Sequence, residues 1–224
     1  MLNKINIRFI FKAFLAGIFV GLTGFEFLFV KQFSFKLNQV VASIIFPFGN
    51  TLIMALSLLL VTGQFTNIFN RKMKTSLLNL FVMFLFNVLG ILTISLIFLL
   101  LKRSNLDLFN KMSAVALLKF PDFSLLRALK TFGKGILCGM FIYTGIFLYR
   151  LFNKPLLEAL GMWIPVFIYV VLGFNNGLTD IFYFVASGSH HYLAMLLISS
   201  AFLGNLCGVS ILKIVENNTI RRNS

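Results

Sequence analysis

The residues able to do chemistry in this chain are few, and most are amides, hydroxyls and lysines set among apolar neighbours. The run Gly173-Phe174-Asn175-Asn176-Gly177 puts two amides side by side inside an apolar stretch, with Asp180 one helical turn beyond Asn176. Thr62-Gly63-Gln64-Phe65-Thr66-Asn67 forms a second polar interruption, at the end of an earlier stretch, and Asn205 lies inside a third. Amides and hydroxyls donate and accept hydrogen bonds without carrying charge. Thr66, Asn175, Asn176 and Asn205 are therefore suited to line a path for a small polar solute. Their alternative duty in apolar segments is to join helices by hydrogen bonds; Thr66 and Asn176, which sit in the interruptions, are the better pathway candidates. Phe65 and Phe174 flank the interruptions and are candidates for a narrow apolar neck. Glu26 and Asp180 put carboxylates deep inside apolar runs, where ionisable groups are costly and functional. Asp180 fits two roles, a cap for the helix that restarts after the interruption or a proton acceptor in a pathway.

Enzyme chemistry finds no foothold. There is no Gly-x-Ser-x-Gly, no phosphate-binding loop and no metal-ligand cluster, and no cofactor or metal is implied. His190 and His191 are adjacent in a connecting segment, where neighbouring side chains diverge. Cys138 and Cys207 lie in apolar runs and read as packing residues. The Asn217-Asn218-Thr219 sequon reads as chance in a short tail.

The elements that must position these residues are membrane spans. Of 224 residues, 59% are apolar and only 12% charged, and the mean hydropathy is +0.95. A soluble domain carries about a quarter charged residues, and a chain this short exposes too much surface to hide such a composition. Crossing a hydrocarbon core takes about 20 apolar residues, and six runs qualify, near 10–30, 39–62, 76–101, 132–149, 156–186 and 192–214. The fifth is too long for one straight helix. The stretch from Ala13 to Val30 is too long for the apolar region of a secretory signal and reads as the first span. The formal charge of +14 comes from basic residues clustered between the runs, such as Lys4/Arg8/Lys12, Arg71/Lys72/Lys74 and Arg150/Lys154. That distribution flanks spans and argues against nucleic acid as a partner. An even span number with basic ends puts both termini in the cytoplasm.

A repeat runs through the chain at an offset of 118 residues. Lys12-Ala13-Phe14, Gly17 and Gly21 match Lys130-Thr131-Phe132, Gly135 and Gly139. Pro47 matches Pro165, and Asn87-x-x-Gly90 matches Asn205-x-x-Gly208. The interruptions near Gly63 and Gly173 are paired as well. Three spans per half means opposite topologies, the inverted-repeat plan that holds solutes near the midplane on broken helices. We expect one transmembrane domain, 1–224, with repeats near 10–101 and 130–214.

These residues resemble the formate/nitrite transporter family. Pro165 followed by Gly173-Phe174-Asn175-Asn176 is similar to that family's fifth span, and Gly204-Asn205-Leu206-Cys207-Gly208 to its sixth. Phe65-Thr66 is similar to its second-span loop, Asn87-x-x-Gly90 to its third span and Gly135-Ile136-Leu137-Cys138 to the start of its fourth. The resemblance implies an all-α, aquaporin-like fold of six spans, with interrupted second and fifth helices. It also implies a homopentamer in which each protomer carries its own pore for formate, nitrite or similar small anions. The departures are specific: Asn176 stands where the family has its central His, Asn175 where it has the preceding Glu, Gly63-Gln64 for Glu-Leu, and Asp180 for an Asn.

The expected function is therefore a channel or transporter for small monovalent anions or their weak acids, passive or proton-coupled, in a bacterial plasma membrane. Lys12 or Lys4 at one mouth and Lys130 or Lys134 at the other could supply vestibule charge, or else anchor the spans by snorkelling. The alternatives are a neutral-solute channel for water, glycerol or urea, and an intramembrane assembly factor.

Overall fold

A computed structural model describes residues 5–33, 36–65, 73–120, 122–188 and 192–220. Thr66, Lys4, the Arg71/Lys72 turn, His190 and His191 lie outside the described residues. Uninterrupted apolar runs become long helices: α1 (Ile7–Lys31), α5 (Met73–Ser104), α7 (Leu125–Leu151) and α10 (Ala194–Ile220). The starts of α1 and α7 are set by side-chain caps. Asn6 accepts from the Phe9 amide at 2.8 Å and Ser124 from the Arg127 amide at 3.2 Å. The second run is divided into α2 (Asn38–Ile45), α3 (Pro47–Ala55) and α4 (Val61–Gln64), and the fifth into α8 (Pro155–Val171) and α9 (Gly177–Ser187). Among the described residues five stretches are long and apolar enough to cross a membrane, α2 and α3 counting as one, while α8 and α9 are shorter apolar helices. The segment 102–134, read above as a connection, contains α6 (Leu106–Leu117), capped by Asn105.

Helices α1 and α5 pack as one pair and α7 and α10 as another. Small residues let the backbones touch. A β-carbon at Gly17 would collide with the backbone of Asn87, and one at Gly139 with the backbone of Asn205. Outward, α5 shows Phe81, Leu85, Leu89, Leu96 and Leu100 on its exposed face, as a helix facing lipid or a second apolar surface does.

The two breaks are built alike. Helix α3 ends with Leu58 N–H donating to the Ile53 carbonyl at 2.9 Å and Ser57 N–H to Met54 at 3.0 Å. Helix α8 ends with Phe174 N–H donating to Tyr169 at 3.0 Å and Gly173 N–H to Val170 at 3.0 Å. This pattern needs a left-handed residue, supplied by Ser57 at φ 50° and Gly173 at φ 69°. Beyond each end, one asparagine receives the loose backbone. Asn87 Oδ1 accepts from Val61 N–H at 2.9 Å, while its Nδ2 donates to the carbonyls of Ala13 (2.7 Å) and Leu59 (2.9 Å). Asn205 Oδ1 accepts from Gly177 N–H, and its Nδ2 donates to the carbonyls of Gly135 and Asn175, all at 2.9 Å.

These bonds correct two expectations. The first break occupies 56–60, and Thr62, Gly63 and Gln64, where it was expected to begin, lie within α4, because α3 ends at the left-handed Ser57. The repeat keeps its offset of 118 at Asn87 and Asn205. However, Ala13 is equivalent to Gly135 and Gly17 to Gly139 in the bonds and contacts they make. The pairing of Gly17 with Gly135 was thus one helical turn out, a slip that repeated glycines conceal.

Ser57→Gly should raise the thermal unfolding midpoint in detergent, by relieving about 1 kcal/mol of left-handed strain. An unchanged or lower midpoint would show that Ser57 is not strained. Asn205→Leu strands an amide and two carbonyls away from water and should cost about 3 kcal/mol; a wild-type melting curve would refute the stapling role.

Candidate functional site

The second break opens onto a cavity of about 230 Å³ bounded by the C-terminal end of α1, by α2, by the residues after α6, and by α8 and the first turn of α9. Asn176 is the N-cap of α9. Its Oδ1 accepts from Leu178 N–H at 3.2 Å and its Nδ2 points to the Tyr169 hydroxyl at 3.4 Å. Tyr169, 1% exposed, also meets the Asn50 side chain. Asn50 in turn lines a second, smaller cavity of about 20 Å³, together with Leu58, Leu60, Gly63, Gln64 and Arg150. A buried polar thread, Asn176–Tyr169–Asn50, therefore connects a cavity beside one break to a cavity beside the other. Phe46 stands edge-on to Tyr169, with ring centres 6.1 Å apart. Phe46 and Tyr169 both line the first cavity. Phe174 lines the wall of the first cavity, and Phe65, half-buried at the end of α4, lines neither cavity.

Asp180 does not cap α9, because Asn176 already holds the cap position. Its carboxylate instead faces the first cavity. Oδ2 accepts from Asn175 Nδ2 at 3.2 Å, and Oδ1 lies 3.9 Å from Lys119 Nζ. The Lys119 ammonium also sits over the rings of Tyr183 and Phe27, at 4.5 and 5.7 Å from their centres. Lys31 reaches the same cavity and donates to Asn38 Oδ1 at 3.0 Å.

Of the sequence candidates, the structure gathers Phe174, Asn176 and Asp180 at the first cavity. Asn175 and Asn205 stand just behind it, holding Asp180 and the break. Lys12 donates to the Ser57 carbonyl at 3.1 Å, so it secures the first break. Lys130 is exposed on α7 and lines neither cavity. The cations on the cavities are Lys31, Lys119 and Arg150. Lys119 escaped the sequence reading because 102–134 was taken as a loop. The signals for α6 were present in Asn105, Asp107 and the buried spacing Phe109, Met112, Ser113, Ala116. Tyr169, Phe46 and Asn50 carried no signal above the surrounding apolar residues.

Two cation-bearing cavities separated by uncharged donors and acceptors can admit a small anion at the mouths, while the centre favours a solute that has lost its charge.

Lys119→Met removes the cation that faces a buried carboxylate and should lower stability by about 1–3 kcal/mol, Lys119 being partly exposed. The double variant Lys119→Met/Asp180→Asn should recover most of that loss in thermal unfolding. Equal destabilisation in both would mean that the two charges are not coupled.

The family model described as Formate/nitrite transporter matches residues 2–216. Among solved structures, the chain is similar to a pentameric formate channel with formate bound. That match has a TM-score of 0.81 at 15% identity and covers 96% of each chain. It is also similar to an FNT family ion channel, with a TM-score of 0.77 at 20% identity over 95% of this chain and 90% of that one. No curated protein matches the sequence significantly.

Proposed function

This chain belongs to the formate/nitrite transporter family, and on that premise we propose that it passes small monovalent anions or their weak acids, such as formate or nitrite, across a membrane. The thread Asn176–Tyr169–Asn50, with a cation-bearing cavity at each end, carries the reading. Cations at a mouth raise the local concentration of anions. At Phe46 and Tyr169 the solute must shed its water, and a desolvated anion becomes a stronger base that takes up a proton and continues as the neutral acid. Asn176, at the position of the family's central His, donates a hydrogen bond but has no proton to transfer, so the proton comes from water. Passage is then passive or proton-coupled, and the chain is a conductor rather than an enzyme.

Lys31 ends α1 and Arg150 ends α7. With three crossings in each half, the halves are inverted and the two cavities open on opposite sides. We infer one transmembrane domain, 1–224, with both termini cytoplasmic in a bacterial plasma membrane. A homopentamer with one pathway per protomer is supported by the pentameric formate channel that shares the fold and by the apolar face of α5, which would meet lipid or a neighbouring protomer. Pathway roles follow for Phe174, Asn175, Asn176, Asp180 and Asn205, and are extended to Phe65 and Thr66, which come after α4 in the chain. Lys12 and Lys130 would act at the mouths through their charge alone. A neutral-solute channel for water, glycerol or urea is the second reading, favoured by the pairing of Lys119 with Asp180.

Liposomes containing the purified protein should take up labelled formate faster as the pH falls from neutral to acid. Asn176→Leu, with an unchanged size-exclusion profile, should lower that uptake at least about tenfold. Wild-type uptake no faster than in protein-free vesicles, alongside rapid swelling in glycerol or urea, would favour the second reading.

A further inference from the structure

The Lys119–Asp180 pair is incompletely bonded, in a way that specifies a ligand. Asp180 is 3% exposed and its Oδ1 has no hydrogen-bond partner; Thr179, 1% exposed, has an unpartnered Oγ1 beside it. Both residues line the first cavity. The 3.9 Å from Oδ1 to Lys119 Nζ exceeds direct hydrogen-bond length, so the charges attract without joining. Among the described residues the ammonium otherwise meets the ring faces of Phe27 and Tyr183, and it has donors to spare. Buried oxygens of this kind are normally satisfied. A ligand completing the set must accept from Lys119 and donate to Asp180.

A carboxylate anion meets only half of that requirement. It accepts from Lys119 but sets its own negative charge against Asp180, in a site where like charges are weakly screened. The undissociated acid meets both halves, its carbonyl oxygen accepting from the ammonium and its hydroxyl donating to Oδ1. The other titratable side chains around Asp180 are Cys138, Tyr169 and Tyr183, none of which is a cation. Lys31, bonded to Asn38 at the rim, is the remaining charge on the cavity. The rim thus retains a positive charge that gathers anions, whereas the inner pair cancels its own.

We propose that the Lys119–Asp180 pair is a binding site for undissociated short carboxylic acids, and that Asp180 is the residue that excludes the anion. The proposal rests on the weak-acid pathway inferred above and adds the species that enters it. It assigns Asp180 the selection of charge: with Asp180 neutral, Lys119 becomes an unopposed cation that holds the anion itself.

The test compares wild type, Asp180→Asn and Lys119→Met/Asp180→Asn, reconstituted for labelled formate uptake between pH 5 and 8 and in planar bilayers for current under a formate gradient. Wild-type uptake above protein-free vesicles should fall with the undissociated fraction, about tenfold per pH unit for an acid titrating below pH 5, and carry no formate current. Asp180→Asn should raise uptake at pH 7 at least about tenfold and produce a formate current. The double variant, again without net charge, should be currentless. A formate current through the wild type, or wild-type uptake that is flat from pH 6 to 8, overturns the proposal while leaving the pathway in place. This readout needs no variant to fold. Absence of uptake in all three proteins at every pH overturns the weak-acid pathway and, with it, the assignment of its ligand.

Discussion

Breaking a helix inside hydrocarbon exposes carbonyls at one end and amides at the other, and each stranded group is costly where no water can reach it. Everything around the pathway follows from how this chain meets that cost. Helices α3 and α8 fold their last carbonyls back onto the turn at Ser57 and Gly173. Asn87 and Asn205 each bond one amide and one carbonyl of the break, and one carbonyl of the neighbouring long helix, α1 or α7. The asparagines reach that far because Gly17 and Gly139 allow α5 and α10 to lie backbone to backbone against α1 and α7. Glycine contact, asparagine staple and broken helix form one unit, made twice.

The unit fixes where the chemistry can be. Because Asn205 holds both Gly177 N–H and the Asn175 carbonyl, the Asn175 side chain is held beside Asp180 and the Asn176 side chain is free to cap α9 and reach Tyr169. Asn175 and Asn176 therefore stand on rigid supports although they lie in an interruption. Asp180 is buried at the same place and, among the described residues, faces the cation of Lys119, so the charge balance there is set by the fold.

Much of this was legible in the residues. Composition dictated a membrane protein, polar runs in apolar stretches announced the breaks, and Asn87 with Asn205 signalled the repeat. What escaped was geometric. A left-handed serine leaves no mark in composition, so the first break was read several residues late. The glycine spacing of α1 and α7 repeats every helical turn and so permits a register one turn wrong. Tyr169, Phe46 and Asn50 meet only because two broken helices bring them together across a separation no local pattern encodes. Lys119 was hidden differently, since a short amphipathic helix between two spans looks like a long basic connection.

Asn176 at the cap of α9 and Asp180 one helical turn beyond it belong together physically. A histidine at the constriction would offer a proton where the anion is least solvated. Without it, an unopposed lysine would admit the bare anion to a centre that has no proton to give it. Cancelling that lysine with a carboxylate one helical turn past the cap keeps the bare anion out, because the inner site then favours the undissociated acid. Selection by charge at the mouth thus takes the place of proton donation at the centre, and both residues that make the change lie on the one half-helix that Asn205 holds in position.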